Sequence, residues 1–439
     1  MLLKIKASVG YSDNHISTEL VVKNAAILEI PPFNLRWSSS KMNSSLSKLV
    51  RNLIYICVSI SYGQAFCQTS ADGVVFQIEP KYFRALPFSE GMAKVSIGNI
   101  KSHKSGFINK TGKLVVEAIY DDVDMFAEGL AAVKIGSDTE GKWGYINKIG
   151  KIVIQPQFSQ SDLSISPASR FSEGLAAVHI GNAETGSWGY IDKTGKIVIN
   201  PNYYWAYQFK DGFAVVKVGG KTSGLWGFID KKGNFAINPK YQAAGSFGEG
   251  LVPVNIGTEE KPEWVYIDKN ENIKLSIPTA YADKYRWRYA DTFSNGFARV
   301  VFESLENQNI TFSKFINRNG YIVLDGLSEY GSNFKEGLAV VRSKTNSGIR
   351  YGFANTKGEV VIQYQFSEAH DFSEGVARVQ IGDEQTGKIG FINRDGKFVI
   401  NPVFSTEGIL NVFDFSEGLA AVRAGSDKTG LWGYIRIPK

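Results

Sequence analysis

Phe171-Ser-Glu-Gly-Leu-Ala-Ala-Val178 and, shortly after it, Trp188-Gly-Tyr-Ile-Asp-Lys-Thr-Gly195-Lys-Ile-Val-Ile-Asn-Pro201 decide how the chain is read. Leu175–Val178, Trp188–Ile191 and Ile197–Ile199 are short runs rich in β-formers, each bounded by turn residues. Asp192 is placed to cap a type I turn whose left-handed position falls on Gly195, which predicts a tight hairpin. Pro201 has no N–H to give to a ladder and reads as the end of a strand. Alternation puts Trp188 and Tyr190 on one face and Gly189 and Ile191 on the other. The bare Gly189 is expected to let an aromatic ring of a neighbouring unit come close.

Outward from this stretch, the signature Phe-x-Glu-Gly-x-Ala-x-Val starts at Phe88, Phe126, Phe171, Phe209, Phe247, Phe293, Phe334, Phe372 and Phe415. Its acid becomes Asp211 in the fourth copy and Asn295 in the sixth, while Gly91, Gly129, Gly174, Gly212, Gly250, Gly296, Gly337, Gly375 and Gly418 never change. A glycine repeated in every unit marks backbone that a Cβ forbids. The tryptophan of the second half recurs as Trp143, Trp188, Trp226 and Trp432, so these glycines and tryptophans are read as the structural frame of the repeat.

Each unit supplies at least three short strands, with room for a fourth before the next signature, and one such unit is too small to bury both of its faces. The expected fold is therefore all-β: about nine three- to four-stranded units stacked as a propeller-like ring or an open β-solenoid. The chain ends two strands into its ninth unit, at Trp432-Gly-Tyr-Ile435, and Gly73–Tyr82 looks like the missing third strand. That complementarity favours a closed ring. Nine blades exceed the usual four to eight, however, which keeps a solenoid split near residues 262–292 as the alternative.

Composition agrees. The 439 residues include 45 Gly, 28 Phe and 20 Tyr but only 4 His and 2 Cys, a turn-rich aromatic chain with little material for a zinc site, a cysteine or histidine nucleophile system or a disulfide framework. Met42–Arg51 forms a short basic lead, Leu53–Ile60 an apolar stretch, and Gly63-Gln-Ala65 a small-residue cleavage site. This is the plan of a secretory leader, and no run approaches the roughly 20 apolar residues of a spanning helix. Residues 1–41 are read as a non-native upstream extension, 42–67 as the signal peptide and 68–439 as the repeat domain. Without residues 1–65 the net charge drops from +6 to +2, which removes the case for a nucleic-acid partner. The expected location is periplasmic, cell-surface or secreted. A lipid anchor on Cys67 is a lesser alternative, because Phe66 is too large for the position before it.

Trp-Gly-[Tyr/Phe]-Ile-[Asp/Asn]-Lys-x-Gly-Lys, followed by Pro and preceded by Phe-x-Glu-Gly-Leu-Ala, resembles the WG-repeat (KWG-repeat) family of bacterial proteins over residues 73–439. The resemblance implies an exported protein and attaches no catalytic residue to the repeat. Departures stand at Ser105-Gly106, Trp264-Val265, Tyr351-Gly352 and Ile389-Gly390, where packing is expected to be less uniform.

The periodic acids are read as acceptors of backbone N–H groups in their turns rather than as metal ligands. His103, His179 and His370 sit at non-equivalent places, and no triad, phosphate loop or paired-histidine motif emerges. No cofactor and no catalytic residue are expected. One stretch breaks the repeat: Tyr281-Ala-Asp-Lys-Tyr285-Arg-Trp287-Arg-Tyr289. As an alternating strand it puts Tyr285, Trp287 and Tyr289 on one face and its cations on the other. With Tyr281 they form the candidate ligand platform, and Tyr203–Tyr207 is a lesser one. The functional expectation is an exported, non-catalytic scaffold that binds a protein or glycan at the cell envelope. The alternatives are a carbohydrate-active enzyme on a propeller or a purely structural envelope component.

Overall fold

The computed structural model describes the backbone of residues 3–11 and 14–22 and, between 74 and 438, all residues except 138, 160–165, 183–184, 277, 309, 324–331, 333, 347, 384–385, 406–410 and 426–429. Two compact units divide the chain at Phe66/Cys67. In the first, Leu3–Tyr11 pairs antiparallel with Asn14–Val22, two paired strands in a region where the sequence shows no periodic pattern. The leader-like segment 42–67 lies outside the described residues.

The second unit is a nine-blade β-propeller, each blade one small antiparallel sheet. Blade 3 shows the pattern. Leu175–Ile180 pairs with Ser187–Asp192, which pairs with Ile197–Tyr203, and Ala168 adds a single bridge where other blades have a short first strand. In blade 4 all four strands are present: Trp205–Ala206, Phe213–Val218, Leu225–Asp230 and Phe235–Tyr241. Hydrophobic clusters join adjacent blades. Trp188, Tyr190, Ile199 and Tyr203 of blade 3, for example, pack on Ala206, Phe209, Ala214 and Val216 of blade 4.

The Glu-Gly pair makes the first hairpin of every blade. The acid position has φ between +51° and +55° and the glycine φ between +78° and +88°, the signature of a type I′ turn. In blade 2, Ala127 and Leu130 exchange both backbone bonds, at 2.9 and 3.2 Å, across Glu128-Gly129. A Cβ built on Gly174 meets nothing within 4 Å, so the glycine is required by conformation and not by space.

The second hairpin forms as expected. Asp192 Oδ1 accepts the amides of Thr194 at 2.9 Å and Lys196 at 3.1 Å, and Gly195 has φ +89°. Pro201, however, does not end its strand. Trp188 faces Tyr203 while Tyr190 faces Ile199, so the last strand carries a bulge and Pro201 occupies it without owing a ladder bond. The bulge also explains the Gly of Trp-Gly. A Cβ on Gly189 would stand 2.7 Å from Ile199 O, so the close approach is by backbone of the same blade and not by a neighbour's ring. Blade 5 is the internal control: Val265 replaces that glycine, the last strand shrinks to Ile273–Leu275, and among the described residues none of that strand pairs with Trp264.

Closure removes the solenoid alternative. Phe76–Tyr82 is the last strand of blade 9, pairing with Leu431–Ile435 through Phe76↔Ile435, Ile78↔Tyr434 and Tyr82↔Trp432. Blade 3 repeats this register as Ile197↔Ile191, Ile199↔Tyr190 and Tyr203↔Trp188. The ring does change character at residues 262–292, where one helical turn, Thr279–Ala282, leads into the three-stranded blade 6, but it does not open there.

Candidate functional site

Strands that alternate in direction give each blade two ends. The Glu-Gly turn and the Asp/Asn-Lys turn share one; the loop between the second and third strands and the crossing to the next blade share the other.

At the Glu-Gly end the periodic acids turn out to hold the ring together. The glutamates accept the backbone N–H of the glycine in the following blade rather than one in their own turn: Glu90 from Gly129 at 2.9 Å, Glu128 from Gly174 at 3.0 Å, Glu173 from Gly212 at 3.1 Å. The series continues through Glu249 to Gly296, Glu336 to Gly375 and Glu374 to Gly418. Lysines of the second hairpin turn add a charge to the same carboxylates, Lys148 on Glu90 at 3.2 Å, Lys193 on Glu128 and Lys231 on Glu173 at 3.1 Å. Burial alone would raise the Glu90 pKa; the Gly129 amide and the Lys148 ammonium outweigh it and leave the group below its ordinary value.

Two further bonds run in the same direction. The serine before the acid donates to the next signature Phe carbonyl, as Ser172 does to Phe209 at 2.7 Å and Ser89 to Phe126 at 2.8 Å. Where the third strand reads Trp-Gly-Tyr, the tyrosine hydroxyl reaches the next blade's first strand, as in Tyr145 to Ser169 O at 2.6 Å and Tyr190 to Tyr207 O at 2.7 Å. Burial raises these tyrosine pKa values well above the ordinary range, so they stay protonated donors. Among the described residues, the junction of blades 4 and 5 has none of the three bonds. Asp211 is one methylene too short to latch, Lys210 replaces the serine and Phe228 the tyrosine.

The other end carries the aromatic candidates. Trp287 is 1% exposed and lies among Tyr266 and Phe302, with ring centroids at 6.0 and 6.3 Å. Tyr285 is half-buried against Phe312 at 5.0 Å, and Tyr281 against Phe302 at 5.3 Å. These rings form core, and the expected platform is not available there. Alternation also fails: Trp287 pairs with Phe302 but Tyr289 with Val301, and this bulge turns Tyr289 off the shared face. The cations are not simply solvated either, since Arg286 and Arg288 clasp the buried Glu303 carboxylate at 2.5 and 2.6 Å.

Tyr289 remains, 46% exposed, with Trp264 at 5.5 Å. The lesser candidate supplies a band of rings of its own. Trp205 sits 6.4 Å from Trp188 and 6.0 Å from Tyr207, and Tyr207, 44% exposed, lies 5.6 Å from Trp226 at an interplanar angle of 31°. Lys217 Nζ stands 5.7 Å above the Trp226 ring. Trp143, Trp188, Trp264 and Trp432 are buried, whereas Trp226 is only half-buried. The band could not be read from one sequence window, because its members come from separate blades. The signal that was present is the density of rings in Tyr203–Tyr207.

Among the described residues no three His, Cys, Asp or Glu side chains are grouped to hold a metal ion, and no helix is long and apolar enough to cross a membrane.

A family model described as WG containing repeat matches residues 78–99, 106–137, 143–182, 188–221, 226–257, 315–344, 351–384 and 389–426. Its one long gap, 258–314, is where the last strand of blade 5 is shortened and blade 6 lacks its Trp-Gly. No curated protein sequence matches the chain. Among solved structures, a eukaryotic initiation factor aligns at TM-score 0.50 and 8% identity over 76% of this chain and 93% of that one, a likeness of fold alone. The β-propeller domain of the Trilobed protease from Pyrococcus furiosus, titled for its open velcro topology, aligns at TM-score 0.35 and 11% identity over 62% of this chain and 95% of that one. An acylaminoacyl peptidase from Pyrococcus horikoshii aligns at TM-score 0.35 and 8% identity over 81% of this chain, which spans 57% of the peptidase.

Proposed function

The chain belongs to the WG-containing repeat family, and from that footing we propose that it is an exported, non-catalytic scaffold that binds a protein or glycan partner at the cell envelope. The observation that carries this reading is the set of half-exposed aromatic rings, Tyr207 against Trp226 at 5.6 Å and Tyr289 against Trp264 at 5.5 Å. The repeating acids, serines and tyrosines are engaged in joining blades. In blades 4, 8 and 5 the polar residue near the end of the second strand is likewise engaged by its own loop: Lys217 Nζ donates to Lys221 O at 2.6 Å, Gln380 Nε2 to Asp383 O at 2.9 Å, and Asn255 Oδ1 accepts the Glu263 amide at 2.7 Å. Exposed aromatic surface stays available for recognition.

Export rests on the leader-like segment at 42–67, and the non-catalytic assignment on the employment of the periodic carboxylates in the ring. Two measurements test the reading. The first is the N-terminus of the protein recovered outside the cytoplasm, expected just after residue 65. The second is titration of the full chain with isolated envelope glycans and with envelope proteins, expected to give saturable binding to one of them. A chain retained in the cytoplasm, or one that binds neither class, contradicts it.

A further inference from the structure

We propose that the edge strand of blade 1, Leu114–Tyr120, is a docking site for an extended segment of a partner protein, one that adds a strand and presents a cation between two apolar side chains. The proposal takes up the protein arm of the binding role argued above and puts it on a different blade from the exposed aromatic rings.

The last strand of a blade lies at the edge of its sheet, and in blade 1, among the described residues, it pairs on one side only, with His103–Asn109. An open edge offers backbone N–H and C=O groups to any extended chain, and proline or charge on the edge is the usual protection. Five blades carry a proline in their last strand: Pro80, Pro156, Pro201, Pro239 and Pro402. Blade 1 keeps the bulged register, with Ser105 facing Tyr120 and Phe107 facing Val116, but has Ala118 in the place of the proline. Blade 7 has Tyr364 there, and that ring packs against the core shared by blades 6 and 7.

The next position sharpens the difference. Ile119 is 63% exposed, where blades 2, 3, 4, 7 and 9 have Gln157, Asn202, Lys240, Gln365 and Lys81, and Val403 of blade 8 is half-buried against its own core. Ile119 shares a face of its strand with Val115 and Glu117, both exposed. Ile97 and Ile100, at the end of the second strand and in the loop after it, add further exposed apolar surface to the same blade.

Charge selects the occupant. Glu117 makes no ion pair among the described residues, so this face reads apolar, acidic, apolar, and its cross-strand complement reads apolar, basic, apolar. A second copy of the same edge is a poorer match, because antiparallel pairing centred on the strand sets Glu117 against Glu117.

The test uses the full chain and a fluorescent peptide, Thr-Val-Thr-Lys-Thr-Val-Thr, with Thr-Val-Thr-Glu-Thr-Val-Thr alongside. Fluorescence anisotropy reads binding, and amide hydrogen exchange reads its place. The lysine peptide is expected to bind saturably and to slow exchange across Leu114–Tyr120 while leaving Ile197–Tyr203 unchanged; the glutamate peptide should bind several-fold more weakly. Ala118→Pro gives blade 1 the residue that five other blades hold in the same strand, so it should keep the melt and weaken binding about tenfold or more. Ile119→Gln, which copies blades 2 and 7, should also weaken binding with an unchanged melt, so the outcome stands even if the proline disturbs the strand. No binding, or binding that both variants leave intact, overturns the site. Equal binding of the two peptides overturns the stated partner chemistry, and a concentration-dependent dimer that Ala118→Pro dissolves assigns the edge to a second copy instead. If the envelope titration finds a partner whose affinity neither variant changes, this proposal fails while the scaffold reading stands; if the titration finds no partner, the scaffold reading fails whatever the peptide does.

Discussion

The carboxylate of Glu417 accepts the amide N–H of Gly91 at 2.8 Å, joining residues 326 apart in sequence by the same bond that links Glu90 to Gly129 in the next blade along. Ser416 Oγ donates to Phe88 O at 2.7 Å and the Tyr434 hydroxyl to Leu86 O at 2.8 Å across the same junction. Where the chain's two ends meet, all three inter-blade bonds are present together with a shared sheet. The junction of blades 4 and 5, continuous in sequence, has none of the three. The closing junction is thus fastened as fully as the covalently continuous junction of blades 3 and 4.

The turn glycine and the turn acid contribute differently. Gly174→Ala places a Cβ residue at φ +88° and should destabilise by about 1–3 kcal/mol. Glu173→Ala loses one partly exposed charge-assisted bond, about 1 kcal/mol. Glu173→Asn should lie closer to wild type, because asparagine tolerates the left-handed turn position and Asn295 already occupies it in blade 6, donating to Phe334 O at 2.9 Å. Chemical denaturation of the three variants checks the order.

Asp211→Glu should stabilise the ring by about 1 kcal/mol, since the added methylene brings a carboxylate to the Gly250 amide as it does in the neighbouring blades. The melting temperature of the variant against wild type reads the effect directly. A loss of stability would mean that the blade 4–5 junction is built to a different geometry.

Acid should loosen the ring before alkali does. Glu90 and Glu128 have folded-state pKa values below their ordinary values, the burial that opposes this being outweighed by the Gly129 amide and Lys148 for Glu90, and by Lys193 and the Gly174 amide for Glu128. A lowered folded pKa means that the unfolded chain binds the proton more tightly. The stabilisation is therefore complete above the unfolded value and is lost as pH falls through the folded one. Melts between about pH 6 and 3 should drop in Tm, and Glu90→Gln with Glu128→Gln should flatten that slope.

Trp287→Ala should unfold or severely destabilise the domain, on the order of 3–5 kcal/mol, because a fully buried indole leaves a cavity between Tyr266 and Phe302. Tyr289→Ala, at an exposed ring, should leave the melt nearly unchanged. Comparing the two melts separates core from surface within one strand.

The repeat, its hairpins and the strand shared by the two ends were legible because they depend on local spacing: Asp192 and Gly195 announce their turn, and Gly73–Tyr82 announces a missing third strand. Partners in other blades were not legible. The acid of Phe-x-Glu-Gly looks the same in sequence whether it caps its own turn or, as Glu173 does, the next blade's Gly212. Trp287 and Tyr289 look equivalent until a one-residue bulge sends the first inward and the second outward. Trp226 is half-buried where Trp188 is buried, a difference between blades that no single window contains.

The closed ring is the central claim, and amide hydrogen exchange on the unmodified chain tests it most directly. The account predicts that the peptide covering Phe76–Tyr82 is protected to the same degree as Ile197–Tyr203, its counterpart within blade 3, and as its partner Leu431–Ile435. Exchange of Phe76–Tyr82 at the rate of an exposed loop, with Ile197–Tyr203 still protected, would contradict closure.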